Sequence, residues 1–175
     1  MTEDERLQPK LIAVSAVRDQ VYHVFPNDLN AQNTVFGGLI MALMDRYAAV
    51  VAHRHAECVC VTVGVDAVHF LSPAVGGDTL IFNAQVNRAW RTSMEIGCRV
   101  EASAIGQRDR RHILSAYLTF VATDSERRPR PVPTAIAQSA DEQRRYAEAE
   151  LRRQSRLQHA EAVKRLRLAS AQTQT

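Results

Sequence analysis

The chain has 175 residues, of which 46% are hydrophobic and 23% charged, and its formal net charge is +3. That length suits one domain with a real core plus an appendage, and the composition is typical of a soluble globular protein. The polar, acidic start lacks the layout of a secretory signal, and no apolar run approaches the roughly 20 residues of a membrane-spanning helix, so we expect a cytoplasmic protein without membrane insertion.

The first part of the chain predicts a strand, a loop and a long helix. Residues 11–25 alternate imperfectly and indicate a strand, and the Asn- and Asp-rich residues 26–34 indicate a loop. From Phe36 to about Arg54 the apolar residues follow a helical period with few polar interruptions. We therefore expect most faces of this helix to be covered.

Four runs after this helix alternate apolar and polar residues. The apolar faces comprise Val59, Val61, Val63 and Val65; Leu80, Phe82, Ala84 and Val86; Met94, Ile96, Cys98, Val100 and Ala102; and Leu114, Ala116, Leu118, Phe120 and Ala122. Such alternation is typical of an antiparallel sheet covered on one side only. We predict an α+β fold in which this sheet wraps around the helix.

The three cysteines, Cys58, Cys60 and Cys98, show no spacing typical of a metal site. Cys58 and Cys60 lie two residues apart in a predicted strand, which is a poor geometry for a disulfide. We expect reduced thiols and no bound metal.

The C-terminal part, residues 134–170, predicts a charged, solvated helix. Residues 138–169 hold eight Lys or Arg against five Asp or Glu, so the rest of the chain is close to neutral. Because the acids are interspersed and interleaved aromatics are lacking, we expect no nucleic-acid binding. We expect residues 1–10 to be disordered or extended, residues 11–133 to form the domain, and residues 171–175 to be a disordered tail.

Asp45 is the most unusual residue of the predicted helix, because it is an acid with apolar residues on most sides. Desolvation makes such a carboxylate costly unless another group pairs with it or uses it. Asp45 is therefore the first candidate for chemistry.

The same helix begins at Gly37 and Gly38, where unpaired N–H groups and the positive end of the helix dipole can polarise a carbonyl oxygen. Asp45 lies about 12 Å further along the helix axis. A carbonyl carbon needs its oxyanion donors and its base or nucleophile both within roughly 3 Å, so one chain cannot easily supply both. Two copies with antiparallel helices would bring the helix start of one to Asp45 of the other, so we expect a homodimer.

From about Val17 to Pro133 the chain resembles the hot-dog-fold acyl-CoA thioesterases, and within them the cytosolic brain-type acyl-CoA hydrolases and their small bacterial relatives. The order and spacing of several short motifs carry the resemblance. These motifs are Asp28-Leu29-Asn30, Phe36-Gly37-Gly38, Met44-Asp45, Val61-Thr62-Val63, Phe70-Leu71-Ser72-Pro73 with Gly77-Asp78, Arg91-Thr92-Ser93-Met94-Glu95, and the final Pro-Val-Pro.

The resemblance implies hydrolysis of fatty acyl-CoA to a free acid and coenzyme A. It implies that Asn30 and Asp45 are catalytic and come from different hot-dog units, with Asp45 as nucleophile or general base for water. Backbone N–H groups near Gly37 and Gly38 would hold the thioester oxygen. No cofactor is implied beyond the coenzyme A of substrate and product.

The resemblance also implies a role in lipid metabolism and homodimers that assemble further into hexamers, as trimers of dimers. Arg91, Thr92 and Ser93 are candidates for substrate binding. The C-terminal helix would pack on the oligomer surface or lend charge near the phosphates of coenzyme A.

Three positions depart from the family pattern. Asn33 stands where Gly is common, but Asn is the residue that next best tolerates left-handed backbone, so the loop is expected to keep its shape. Trp90 replaces a small residue, and Arg127 and Arg128 replace a usual Gly turn.

Each candidate also has a simpler interpretation. Asp45 could be a structurally paired acid, Asn30 a turn or cap residue, and the glycine pair a closely packed helix start. Residues 91–93 could be a solvated hairpin tip. As a whole, the chain could instead be a non-catalytic acyl-CoA-binding sensor or a hot-dog hydratase or dehydratase, and the latter would require a His with its acid.

Overall fold

The computed structural model describes residues 3–107 and 109–172, the last two by their backbone alone, and has one long helix, α3 (Gly37–Ala56), at its centre. Within these residues, the antiparallel sheet around α3 has five strands. They are β2 (Val17–His23), β3 (Cys60–Val65), β4 (Thr79–Ala89), β5 (Ser93–Ser103) and β6 (Arg111–Ala122), in the spatial order β2-β4-β5-β6-β3. All five strands contact α3, which confirms the predicted α+β architecture of a sheet wrapped around a helix.

The central helix begins and ends within two residues of the predicted bounds. Ile40, Met44, Ala48 and Val51 are buried on its core side, which is the spacing of an amphipathic helix. The helix stops at Glu57, whose left-handed backbone lets its N–H donate to the His53 carbonyl. Among the residues described, no helix is both long and apolar enough to cross a membrane.

Three of the four predicted apolar faces form the core against α3. The inward side chains of β4, β5 and β6 are all buried, among them Phe82, Ile96 and Phe120. Each large side chain removed from water in this way contributes about 1.5–3 kcal/mol. The period-two pattern therefore predicted these faces correctly.

The fourth face was predicted wrongly. Val59 precedes β3, and Val61, Val63 and Val65 are all exposed; only Cys60 is buried in this strand. The physical reason is position, because β3 lies at the edge of the sheet and, in the described part of the chain, has a neighbouring strand on one side only.

The N-terminal expectations also need correction. Residues 11–25 do not form one strand, because α2 (Ile12–Ser15) precedes β2 and packs against α3. Residues 3–10 are not disordered: α1 (Glu3–Arg6) is one helical turn, and β1 (Lys10–Leu11) pairs in parallel with β7 (Ala135–Ile136).

Arg6 holds the N-terminal segment in place. Its guanidinium is 4% exposed and donates hydrogen bonds to the carbonyls of Ala56 and Pro131. A buried cation is tolerated when its N–H groups find such acceptors.

The C-terminal helix α4 (Ala140–Gln172) is not simply solvated, because it packs on the outer face of the sheet. The prediction of a sheet covered on one side only was therefore wrong, and Glu95 on the outer face of β5 is fully buried. Residues 171 and 172 of the expected disordered tail continue this helix. Residues 1, 2 and 173–175 lie outside the described residues.

Two of the positions that depart from the family pattern have left-handed backbone. Asn33 has φ +57°, which confirms that it takes the left-handed backbone. Arg127 has φ +61° in the turn where its N–H donates to the Asp124 carbonyl. A side chain with a Cβ is strained there, whereas glycine is not.

We therefore predict that Arg127→Gly raises the free energy of unfolding by about 0.5–1 kcal/mol, since it relieves left-handed strain at some cost in chain entropy. The measurement is the urea midpoint at an unchanged slope. Arg127→Ala keeps the Cβ and serves as the control. Equal midpoints for the Gly and Ala variants would contradict the strain argument.

His55 joins three parts of the chain at the end of α3. It is fully buried, its Nε2 donates to the Pro133 carbonyl at 3.1 Å, and its Nδ1 accepts from the Ser15 hydroxyl at 3.1 Å. Since a carbonyl only accepts, Nε2 carries a proton. Burial disfavours a second proton on Nδ1, so the ring is neutral. Burial lowers the pKa of His55 below 6.5, partly opposed by the Pro133 hydrogen bond, and the charge of Lys10 lowers it further.

A lowered pKa means that the unfolded chain binds more protons near His55 than the folded chain does. The contribution of neutral His55 to the free energy of unfolding is therefore complete above about pH 6.5. It is lost as the pH falls toward the lower pKa of the folded state. We predict that this decline in the free energy of unfolding weakens in His55→Gln, which does not titrate, and persists in the control His53→Gln. Chemical denaturation between pH 7.5 and 5.5 checks this, and identical pH profiles for His55→Gln and wild type would refute it.

Candidate active site

The start of α3 lies between two exposed aromatic rings. No side chain of the described residues caps this helix end, so its first N–H groups point outward. A Cβ at Gly38 would lie 2.3 Å from the ring of Phe36, and one at Gly37 would lie 3.1 Å from the ring of Phe70. The glycine pair therefore allows the two rings to approach the helix start closely.

A groove of about 420 Å³ runs beside this helix start. Its lining residues are mostly apolar and come from the end of the Asn-rich loop, from α3 and from the segment that precedes β4. They are Thr34, Val35, Gly37, Ile40, Phe70, Leu71, Ser72, Pro73 and Ala74. A narrow apolar chain could lie here with its polar end at the N–H groups of α3.

Asp45 lies two turns further along α3, where its side chain is half-buried. Its Oδ1 accepts a 2.7 Å hydrogen bond from the hydroxyl of Thr62 on β3. The carboxylate is thus neither isolated nor sealed in the core, as its sequence context suggested. It is paired with one neutral donor and remains within reach of a ligand.

Thr62 had no role in the sequence-based interpretation, although it is part of one of the family motifs. The sequence did hold a signal that could have identified Thr62. Thr62 is the one polar residue between Val61 and Val63, and it lies two residues after Cys60, which is buried. Residues two apart on a strand share a face. That face of β3 looks toward α3 and Asp45.

The two elements that carry Asp45 and Thr62 also expose apolar side chains. On α3 these include Met41 and Val50, and on β3 they include Val61, Val63 and Val65. Exposed apolar side chains are common at contact sites, and β3 also lies at the edge of the sheet. These two elements are thus suited to contact with another protein chain.

Asn30 folds back on its own loop. Its Oδ1 accepts from the N–H groups of Gln32 and Thr34 and from the Thr34 hydroxyl, and its Nδ2 donates to that hydroxyl. This is the behaviour of a turn residue. The second hydrogen of Nδ2 remains for a ligand or water.

The structure does not bring residues 91–93 to the helix start of the same chain. Ser93 pairs with Val121 at one end of β6, whereas Leu71, beside the groove, bonds to Ile113 near the other end. These positions on β6 are roughly 27 Å apart. The hairpin lies instead near the C-terminal end of α3.

The cysteines take no part in this site. Cys58, Cys60 and Cys98 are free thiols, as predicted. Burial raises the pKa of both Cys60 and Cys98 to about 12, so these thiols stay protonated and unreactive. Across residues 3–107 and 109–172, His, Cys, Asp and Glu side chains form no cluster of three or more that could hold a metal.

Comparison with known proteins gives a consistent result. A profile of the thioesterase superfamily matches residues 32–107. The mouse protein acyl-coenzyme A thioesterase 11 is 38% identical over 79% of this chain, although the chain spans only 24% of that protein. YkhA of Bacillus subtilis, named an uncharacterized acyl-CoA thioester hydrolase, is 34% identical, over 80% of this chain and 83% of its own length.

Among solved structures, an acyl-CoA hydrolase of Staphylococcus aureus is similar with a TM-score of 0.83 and 33% identity, over 96% of this chain and 99% of that one. It was solved with butyryl coenzyme A, coenzyme A and coenzyme A disulfide, and variants with alanine replacing an Asp, an Asn and a Thr are also known. The chain therefore belongs to the hot-dog-fold acyl-CoA thioesterases, a family of thioester hydrolases within the thioesterase superfamily.

Proposed function

We propose that this protein hydrolyses fatty acyl-CoA to a free fatty acid and coenzyme A. The observation that carries the proposal is the Asp45–Thr62 pair, which presents a carboxylate on an apolar face two turns from an uncapped helix start. The apolar groove beside Gly37 suits the narrow acyl or pantetheine part of such a substrate.

The chemistry fits a site with few polar groups. A thiol has a pKa of about 8.5, so the sulfur of coenzyme A can leave as a thiolate with little acid assistance. Asp45 either attacks the thioester carbon or takes a proton from the water that attacks it. In both routes the C–S bond breaks, one water is consumed, and the first N–H groups of α3 stabilise the oxygen that gains charge.

Two chains together would supply the site. The helix start at Gly37 and Gly38 is about 12 Å along the axis from Asp45 in one chain. If α3 pairs with a second, antiparallel α3, Asp45 of one chain faces Asn30 and the helix start of the other. The same pairing moves Arg91, Thr92 and Ser93 from the far end of α3 toward the partner's groove, where they could bind the coenzyme.

The staphylococcal enzyme supports these roles. Its substituted Asn and Asp are 15 positions apart, and its substituted Asp and Thr are 17 apart. Asn30, Asp45 and Thr62 have the same two intervals. We assign Asn30 to placing water or substrate through its free amide hydrogen, and Thr62 to orienting Asp45.

We further propose that the dimers assemble into hexamers and work in the cytoplasm in lipid metabolism. A hexameric acyl-CoA thioesterase is 35% identical with a TM-score of 0.84. A mouse relative that is 32% identical is named a cytosolic acyl coenzyme A thioester hydrolase. The hydratase alternative gains no support from the geometry, because Asp45 accepts its hydrogen bond from a threonine and not from a histidine.

The first test is thiol release from acyl-CoAs of increasing chain length. We expect turnover by the wild type and a loss on the order of 10²-fold or more in kcat for Asp45→Asn, which cannot act as base or nucleophile. Binding of acyl-CoA without turnover by the wild type would instead identify a sensor.

The same assay tests the shared site. Asp45→Ala and Asn30→Ala chains, each inactive alone, are mixed by refolding together. Random pairing leaves one intact composite site in half of the dimers, so we expect recovery of about a quarter of wild-type activity. No recovery in dimers shown to be mixed would place both residues in a single-chain site.

A second prediction concerns Thr62. Thr62→Val keeps the shape but removes the hydrogen bond to Asp45, so we expect kcat to fall by roughly 10-fold with little change in stability, because the residue is exposed. Thr62→Ser retains the hydroxyl and is the control. Equal kinetics for Thr62→Val and wild type would remove Thr62 from the site.

A further inference from the structure

Helix α4 crosses the outer face of the sheet from β4 to the β3 edge. About three turns into the helix, Glu150 accepts from the indole N–H of Trp90 and pairs with Arg88. Two residues later, Arg152 bonds to Glu95 on β5. The next turn brings Arg156 to the edge of the sheet.

Glu95 is the centre of these contacts. Although fully buried, its carboxylate accepts hydrogen bonds from Asn87, Arg152 and Arg156, at 3.1, 2.8 and 3.0 Å for the shortest bond from each. A buried carboxylate needs such compensation. Arg152 also lies over the ring of Tyr117, with its guanidinium carbon 3.6 Å from the ring centre.

Arg156 connects this buried centre to the edge strand. Its Nη1 donates to Glu95 at 3.0 Å and to Asp66 at 2.7 Å. Asp66 is the first residue after β3, and its own N–H donates to the Tyr117 carbonyl. The ion pair therefore fixes the point at which the chain leaves β3.

Over the described residues, the edge strand is hydrogen-bonded to the sheet on one side only. In the described part of the chain β3 pairs with β6 alone, and the pairing shifts register between Thr62 and Gly64. Its residues are exposed except for Cys60. A short edge strand with a register shift and little burial is expected to be one of the less stable parts of a sheet.

Besides the contacts of Cys60 with His53 and Ala52 of α3, two side-chain contacts hold β3 from opposite faces. Thr62 faces inward and bonds to Asp45, whereas Asp66 bonds to α4 on the outer face. The two residues are about 13 Å apart along an extended chain. A displacement of the strand end would thus be transmitted to the Thr62 hydroxyl.

We propose that Arg156 is a positioning residue for the site. Through Asp66 it fixes the end of β3, and so it holds the Thr62 hydroxyl on the Asp45 carboxylate. The inference rests on the proposed function, since it assigns α4 a part in the reaction attributed to Asp45. It makes the C-terminal helix a clamp that acts on the site through β3.

The kinetic test compares Arg156→Met with Arg153→Met. Both remove one cation from α4, but Arg153 lies over Trp90 and does not contact the edge strand. Glu95 keeps Arg152 and Asn87 in either variant, so both are expected to fold. For Arg156→Met we expect kcat to fall about 5- to 10-fold and KM to change by less than about twofold, with wild-type kcat for Arg153→Met.

Two further variants separate positioning from general destabilisation. Arg156→Lys keeps a cation that can reach both carboxylates and is expected to recover most of the lost kcat. In a Thr62→Val background, Arg156→Met is expected to have little additional effect, because the contact through which it acts is already missing. An undiminished loss in that background, or no loss in the wild-type background, would overturn the proposal.

Amide hydrogen exchange tests, without any substrate, whether Arg156 holds the end of β3. We expect residues 60–66 to exchange about 10-fold faster in Arg156→Met than in Arg153→Met, with β4 and β5 unchanged. Equal exchange in the two variants would show that Arg156 does not hold the end of β3. If the wild type releases no thiol from any acyl-CoA, the proposed function fails, and the exchange result alone decides whether Arg156 holds the strand.

Discussion

The hydrogen bond from Thr62 to Asp45 joins the central helix to the edge strand, and the candidate site depends on it. The helix alone would present an acid among apolar side chains, and the strand alone would present a hydroxyl among valines. Together they hold one carboxylate oxygen in place, and in the proposed reaction the other oxygen is the one that acts. A single neutral donor would suffice for that reaction, because a leaving thiolate needs little acid assistance.

Most of the fold could be predicted, because burial imposes a period on the sequence. Apolar and polar residues alternate regularly in β4, β5 and β6, and this predicted which side chains face inward. The apolar period of α3 predicted each end of the helix to within two residues. The β3 valines follow the same pattern but are exposed. Alternation shows that a strand has two faces, but not whether the strand lies at the centre or the edge of its sheet.

A candidate site residue could be named from the sequence where it contrasted with its neighbours, as Asp45 does among apolar residues. Residues that make contacts with distant parts of the chain showed no such contrast with their neighbours in the sequence. Glu95 looked like a solvent-facing residue of an alternating strand, yet it is buried because Arg152 and Arg156 arrive more than 50 positions later. Asn30 was identified through a motif, but its hydrogen bonds are those of a loop residue and reveal its free donor only in three dimensions.

The burial of Glu95 also decides where the folding unit ends. A polypeptide cut after the final Pro-Val-Pro would contain every strand of the large sheet, yet it would expose Glu95 to water and lose its ion pairs with Arg152 and Arg156. It would also lose the packing of Ala149, which is fully buried, and of Tyr146, and a typical domain is held together by only about 5–15 kcal/mol. The first half of α4, through Arg156, is thus as much a part of the domain as the strands beneath it, and shortened versions for crystallisation or fusion should retain it.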